Sequence, residues 1–268
     1  MKKTLFFLFQ AATLAFSVTS CKQDDPATPE IGSVVLRFDH VVGSRDLVLN
    51  DSTYTNGGGE SFRVTTLNYF VSNIRLKRPD GSEFVVPQDK SYFLVKESDA
   101  NSQKITLDEI PAGEYSAVSF LIGVDSLRST MDIGRRTGAL DPGGAASGMY
   151  WDWNSGYIFL KLEGTSPLAP IGANGQRSFF YHVGLFGGYK SKTLNNLRTI
   201  QVPFGSSRAT VSAGPAAAVT IKGDVLKIFD GVKALRIATN PDIMVSPLSA
   251  DLANNYAGMF RFDKIQAN

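Results

Sequence analysis

A two-residue rhythm constrains the fold more than any other feature. From Ser33 to His40 the chain reads Ser-Val-Val-Leu-Arg-Phe-Asp-His. An extended backbone puts Val34, Leu36, Phe38 and His40 on one face, with Val35, Arg37 and Asp39 on the other. Comparable runs rich in β-branched and aromatic residues follow at Phe62 to Lys77, Phe84 to Val86, Tyr92 to Val95, Lys104 to Leu107 and Tyr115 to Val124. Others lie at Tyr157 to Glu163, Arg177 to Gly184, Leu197 to Val202 and Ala217 to Lys222. Turn chemistry separates many of them, as at Asn56-Gly57-Gly58-Gly59, Pro79-Asp80-Gly81 and Pro111-Ala112-Gly113. The 25 glycines, 18 phenylalanines and 9 tyrosines suit such a protein. Helical spacing replaces the rhythm at Asp224 to Leu235 (Val225, Leu226, Phe229, Val232), and Leu248 to Phe260 reads as a second helix. The expectation is an all-β fold, a mostly antiparallel β-sandwich with long loops and one or two short helices. No fixed-period repeat or shift of composition divides it, so residues 32–268 read as one domain.

The first 31 residues belong to another kind of signal. Met1-Lys2-Lys3 is a positive start, Thr4 to Val18 is apolar and uncharged, and Val18-Thr19-Ser20-Cys21 ends on cysteine. Residues 1–20 read as a secretory signal peptide, too short for a comfortable membrane span. The run resembles a bacterial lipobox, which makes Cys21 the lipidated first residue of an outer-membrane lipoprotein facing the periplasm or the cell exterior. Residues 21–31, polar and bearing Pro26 and Pro29, read as a flexible tether. Cys21 is the single cysteine, so the exported domain has no internal disulfide and no thiolate metal site. The 27 basic and 25 acidic residues give a formal charge of +2, and nothing points to nucleic acid.

The chain has two histidines, His40 and His182, each at the end of an apolar strand row. No His-x-His, His-Glu-x-x-His or Cys-x-x-Cys gathers ligands locally, so any metal site must be assembled by tertiary structure. Two imidazoles with a polarisable third donor suit copper better than magnesium or calcium. Met149 offers a thioether, and Asp39 or Asp152 a carboxylate. The irregular stretch Asp125 to Ser147 leads into Gly148 to Gly164, which holds both tryptophans. Extended backbone there would set Met149, Trp151 and Trp153 on one face. No Gly-x-Ser-x-Gly elbow, Walker loop or dinucleotide fingerprint occurs, and the chain reads as a binding protein, not an enzyme. The alternative without metal is a surface-displayed module whose aromatic cluster contacts a glycan or a protein.

Several motifs carry a family likeness. Phe38-Asp39-His40, Thr65 to Ile74, Gly123-Val124-Asp125, Leu140-Asp141-Pro142, Gly148 to Gly164 and Phe180 to Gly184 occur in an order that resembles the MbnP-like copper-binding proteins. The Met-x-Trp-x-Trp and Gly-Tyr-x-x-x-Lys-x-Glu-Gly pattern is the most specific part. The resemblance implies a β-sandwich in which a di-haem enzyme of the MauG type oxidises one tryptophan to kynurenine. It further implies that His40 and His182 are copper ligands and that Trp151 or Trp153 is the residue modified. Opening an indole ring yields an aryl amine and a ketone, turning a non-ligand into a donor.

Overall fold

A computed structural model describes residues 30–153, 156–173 and 175–267. The expected signal peptide, Cys21 and nearly all of the tether lie outside them. Ten strands carry the architecture: β1 (Ile31–Val42), β2 (Ser61–Lys77), β3 (Tyr92–Lys96), β4 (Lys104–Pro111), β5 (Ala117–Ile122), β6 (Leu160–Thr165), β7 (Ser178–Val183), β8 (Arg198–Pro203), β9 (Ala217–Asp224) and β10 (Phe260–Ala267). One sheet runs β10-β9-β1, with β4 and the short Arg45–Asp46 strand also on β1. The other runs β8-β5-β2-β6-β7 and ends on Asp242–Ile243, with β3 also pairing β2. The fold is all-β, and most pairs are antiparallel as expected. Two are parallel, β1 with β9 and β7 with Asp242–Ile243.

The alternation in β1 has the predicted result: Val34, Leu36 and Phe38 are buried between the sheets. Opposite them lie Leu67, Tyr69 and Val71 of β2, Leu160 and Leu162 of β6, and Phe179, Tyr181 and Val183 of β7. Phe38 sits edge-on to Tyr69, Phe120 and Phe260 at 5.7–6.1 Å between ring centroids, a favoured aromatic geometry.

The second sheet is also covered on its other face. Phe70 and Leu94 turn away from the sandwich and meet Val124, Leu140, Ala146, Met149, Tyr157, Ile158, Phe159 and Phe186 in a separate buried cluster. The irregular stretch after Ile122 supplies much of this cover through the short helix Ser126–Ser129 and the 3-10 turns Ile133–Arg135 and Gly138–Leu140. Such internal order is what allows a long connection to pack in a compact domain. Tyr157 donates its hydroxyl to the Leu140 carbonyl at 2.5 Å and pins the cover shut.

The helical expectations hold unevenly. Leu248 to Phe260 gives α1 (Leu248–Ala257), which buries Leu252, Ala253 and Tyr256, but Phe260 already belongs to β10. Asp224 to Leu235 shrinks to a single turn, Leu226–Phe229. The Asp230 carboxylate is engaged in accepting from the Gly57 N–H and from Arg236. A Cβ on Gly231 would lie 2.5 Å from Asn255 Oδ1, so the backbone at that point packs against α1.

Candidate functional site

Register decides which way each site residue faces. Leu160 pairs with both Tyr69 and Val183, and Leu162 pairs with Tyr181. These residues point into the sandwich, so the intervening Lys161, Glu163, Phe180 and His182 point outward. There His182 Nε2 lies 2.7 Å from Glu163 Oε1. Glu163 also takes Lys161 Nζ at 3.3 Å and the Thr66 hydroxyl at 3.0 Å. Lys161 reaches on to the Gly148 carbonyl at 3.2 Å, which ties this cluster to the tryptophan segment.

Electrostatics fixes the protonation of the pair. Burial alone would raise the Glu163 carboxyl, but the hydrogen bond from His182, the charge of Lys161 and the bond from Thr66 hold it below its ordinary value. Burial lowers the His182 imidazole, and the pull of Glu163 only partly offsets this. At neutral pH a neutral His182 therefore donates Nε2–H to an ionised Glu163, leaving Nδ1 with its lone pair. A carboxylate that holds one nitrogen while the other stays available is the usual outer support of a metal-ligating histidine.

The tryptophans close the same face. Trp151 pairs with Gly156 between two antiparallel two-residue strands, and its ring lies over Gly184: a Cβ there would sit 2.8 Å from Trp151 Cζ3. Gly184 is two positions beyond His182, about 7 Å along the strand at the usual rise. The Trp151 and Trp153 rings are 5.4 Å apart at 31°. Met149, Trp151 and Trp153 do not form the single row expected of extended backbone, because the chain turns after Trp151. Met149 is buried in the outer cluster, Trp151 is half-buried against it, and Trp153 is 46% exposed.

His40 lies elsewhere. It ends the inward row of β1 and is 2% exposed. Across from it β9 supplies Gly223, where a Cβ would come within 2.9 Å of the imidazole. Nδ1 lies 2.5 Å from Glu97 Oε2, and Nε2 lies 2.8 Å from the Tyr69 hydroxyl. Burial, with the Glu97 charge beside it, pushes the Tyr69 phenol well above its ordinary value, so it stays protonated and donates to Nε2. Both nitrogens of His40 are thus engaged. Since Tyr69 and Val183 face inward while His182 faces outward, the β2-β6-β7 sheet stands between the two imidazoles, and the structure does not bring His40 and His182 together. Asp39 turns outward from β1 toward Lys222, at 3.8 Å. Among the described residues no group of three or more His, Cys, Asp or Glu is placed to hold a metal ion.

The MbnP family model matches residues 31–245. The chain belongs to the MbnP family. Its fold is similar to that of MbnP from Methylosinus trichosporium, with a TM-score of 0.57 and 17% sequence identity over 78% of this chain and 80% of that one. No curated protein matches the sequence. The MbnP-matched segment includes both histidines, both tryptophans and Met149. Four partners were not singled out from the sequence: Lys161, Glu163, Tyr69 and Glu97. Lys161 and Glu163 stand in the Lys-x-Glu-Gly run that carried the family likeness, so a signal for them existed. Glu97 lies 57 residues from His40 and gave none.

Proposed function

We propose that this MbnP-family protein is a copper-handling lipoprotein of the cell envelope, not itself an enzyme, with its copper-binding centre on the outer face of the β2-β6-β7 sheet. One observation carries the reading: His182, held through Nε2 by Glu163 and retaining Nδ1, shares that face with Trp151. Copper(I) and copper(II) both accept imidazole, so His182 would supply one ligand. Oxidation of Trp151 or Trp153 to kynurenine by a di-haem enzyme of the MauG type would supply an amine and a ketone next to it. Trp153, the more exposed of the two rings, is the more accessible to such a partner. Met149 serves as packing under the pair on this reading, and His40 as a hydrogen-bonded core residue.

The test is copper titration of the wild-type protein and of His182→Ala and His40→Ala, each after co-expression with the di-haem partner. His182→Ala is expected to lose stoichiometric binding, whereas His40→Ala keeps it wherever the protein folds. Undiminished binding by His182→Ala would refute this placement. Mass spectrometry of Trp151→Phe and Trp153→Phe then shows which variant loses the oxidative mass change.

A further inference from the structure

A cavity of about 540 Å³ opens on the same sheet, beyond Glu163 and away from the tryptophans, at the loop joining β6 to β7. Its size falls within the range of small-molecule sites, roughly 300–1,000 Å³. Thr165 of β6 is paired with Arg63 of β2, and the loop returns through Arg177, so both guanidinium-bearing residues line one cavity. The described residues of the loop are tied together by hydrogen bonds. Ser166 N–H bonds the Arg177 carbonyl at 3.0 Å, the Ser166 hydroxyl bonds the Ser61 carbonyl at 2.6 Å, and Gly172 N–H bonds the Gln176 carbonyl at 2.8 Å.

The charge at this cavity is unbalanced. Among the described residues no Asp or Glu lines it. Among the same residues Arg63 bonds through Nε the Thr53 hydroxyl at 3.0 Å, and Arg177 bonds through NH1 the Ala169 carbonyl at 2.6 Å. Three arginines of the described residues are matched to carboxylates, Arg75 to Glu83, Arg128 to Asp89 and Arg236 to Asp230, whereas Arg45, Arg78, Arg136, Arg198 and Arg208 bond neutral oxygens as Arg63 and Arg177 do. What sets Arg63 and Arg177 apart is that both line one cavity. A guanidinium presents five donors in a planar fork suited to carboxylate or phosphate oxygens. At Arg63 and Arg177 most of those donors have no partner among the described residues. The hydroxyls of Thr53 and Thr165 line the cavity beside them, with Ile171 as an apolar wall.

We propose that this cavity is a binding site for a small oxyanion ligand, a carboxylate or phosphate group held between Arg63 and Arg177. The site is independent of the copper reading and uses none of its residues.

The mature protein would be titrated by calorimetry with inorganic phosphate, with glucuronate as a carboxylate and with glucose as a neutral control of similar size. Saturable binding of at least one anion, and none of glucose, is expected. Phosphate alone or glucuronate alone then assigns the anionic group. Arg63→Gln and Arg177→Gln should each weaken binding about ten-fold or more, as loss of charge-assisted hydrogen bonds does, and the double variant should abolish it. His182→Ala should leave it unchanged. Thr165→Glu, which places a carboxylate in register with Arg63, should also block binding and serves if an arginine variant fails to fold. Failure of both anions to bind saturably, or binding that survives in the folded double variant or in Thr165→Glu, would overturn the proposal.

Discussion

The two histidines share a position at the end of a strand row and differ in which face that row presents. His40 is enclosed, and truncating it would leave the buried Tyr69 hydroxyl without its partner and the Glu97 carboxylate with Gln103 Nε2 as its remaining side-chain donor. His40→Ala is therefore expected to cost about 2–4 kcal/mol of stability, the range for leaving buried polar groups unpaired. His182 borders solvent, and His182→Ala should cost under about 1 kcal/mol. Urea denaturation of the two variants checks the contrast. Equal losses would mean that the burial difference does not govern them. The pair Glu163–His182 also sets a pH dependence. The His182 pKa is lower folded than unfolded, so stability is full above the usual histidine range and declines as pH falls through the folded value. The lowered Glu163 carboxyl adds a second loss further into acid. Because the Nδ1 lone pair survives to lower pH than that of an ordinary imidazole, the loss of copper affinity on acidification should set in at lower pH than for free histidine at the same copper concentration. Copper titrations across pH 5–8 would reveal this. An affinity that falls with pH as that of free histidine does would contradict the lowered pKa.

At the scale of elements, the second core holds the tryptophan hairpin against the face that carries His182, which is where the proposed copper centre lies. Gly184 is the narrowest point of that contact: a Cβ would lie 2.4 Å from the Tyr157 carbonyl and 2.8 Å from Trp151 Cζ3. Gly184→Ala should destabilise the protein by about 1–3 kcal/mol, the usual cost of overpacking. It should also change tryptophan emission, since Trp151 must lift from the strand. Unchanged emission in a folded variant would show that the indole does not rest there. The sequence disclosed the elements better than their partners. Alternation placed β1, and the Gly/Pro turns bounded much of β2 to β7, because both are local properties. The parallel pairing of β1 with β9 joins segments some 180 residues apart and leaves no local trace. In β7 both faces are apolar, Phe179, Tyr181 and Val183 on one and Phe180 on the other, so the alternation alone did not say which face His182 takes. The Met149–Trp153 row failed for a related reason: aromatic density suggested extended backbone where the chain makes a tight turn.

For the whole molecule the remaining question is what holds it in place. No helix of the described residues is long and apolar enough to cross a bilayer. On the lipoprotein reading, attachment therefore rests on acyl chains at Cys21, each buried CH₂ contributing about 0.8 kcal/mol. The fold begins inside the stretch expected to be tether, residues 21–31, since Ile31 already opens β1. Glu30 is fixed at the sandwich edge, its carbonyl accepting from Ala112 N–H at 2.7 Å and its carboxylate from Ala213 N–H at 3.0 Å. The described fold thus begins at a defined point, Glu30. Cys21→Ala should move the protein from the membrane fraction to the soluble fraction on cell fractionation while leaving its denaturation midpoint and its copper binding unchanged. Membrane retention of the variant would remove the lipid anchor from this account. A loss of copper binding with the fold intact would mean that the membrane itself takes part in the site.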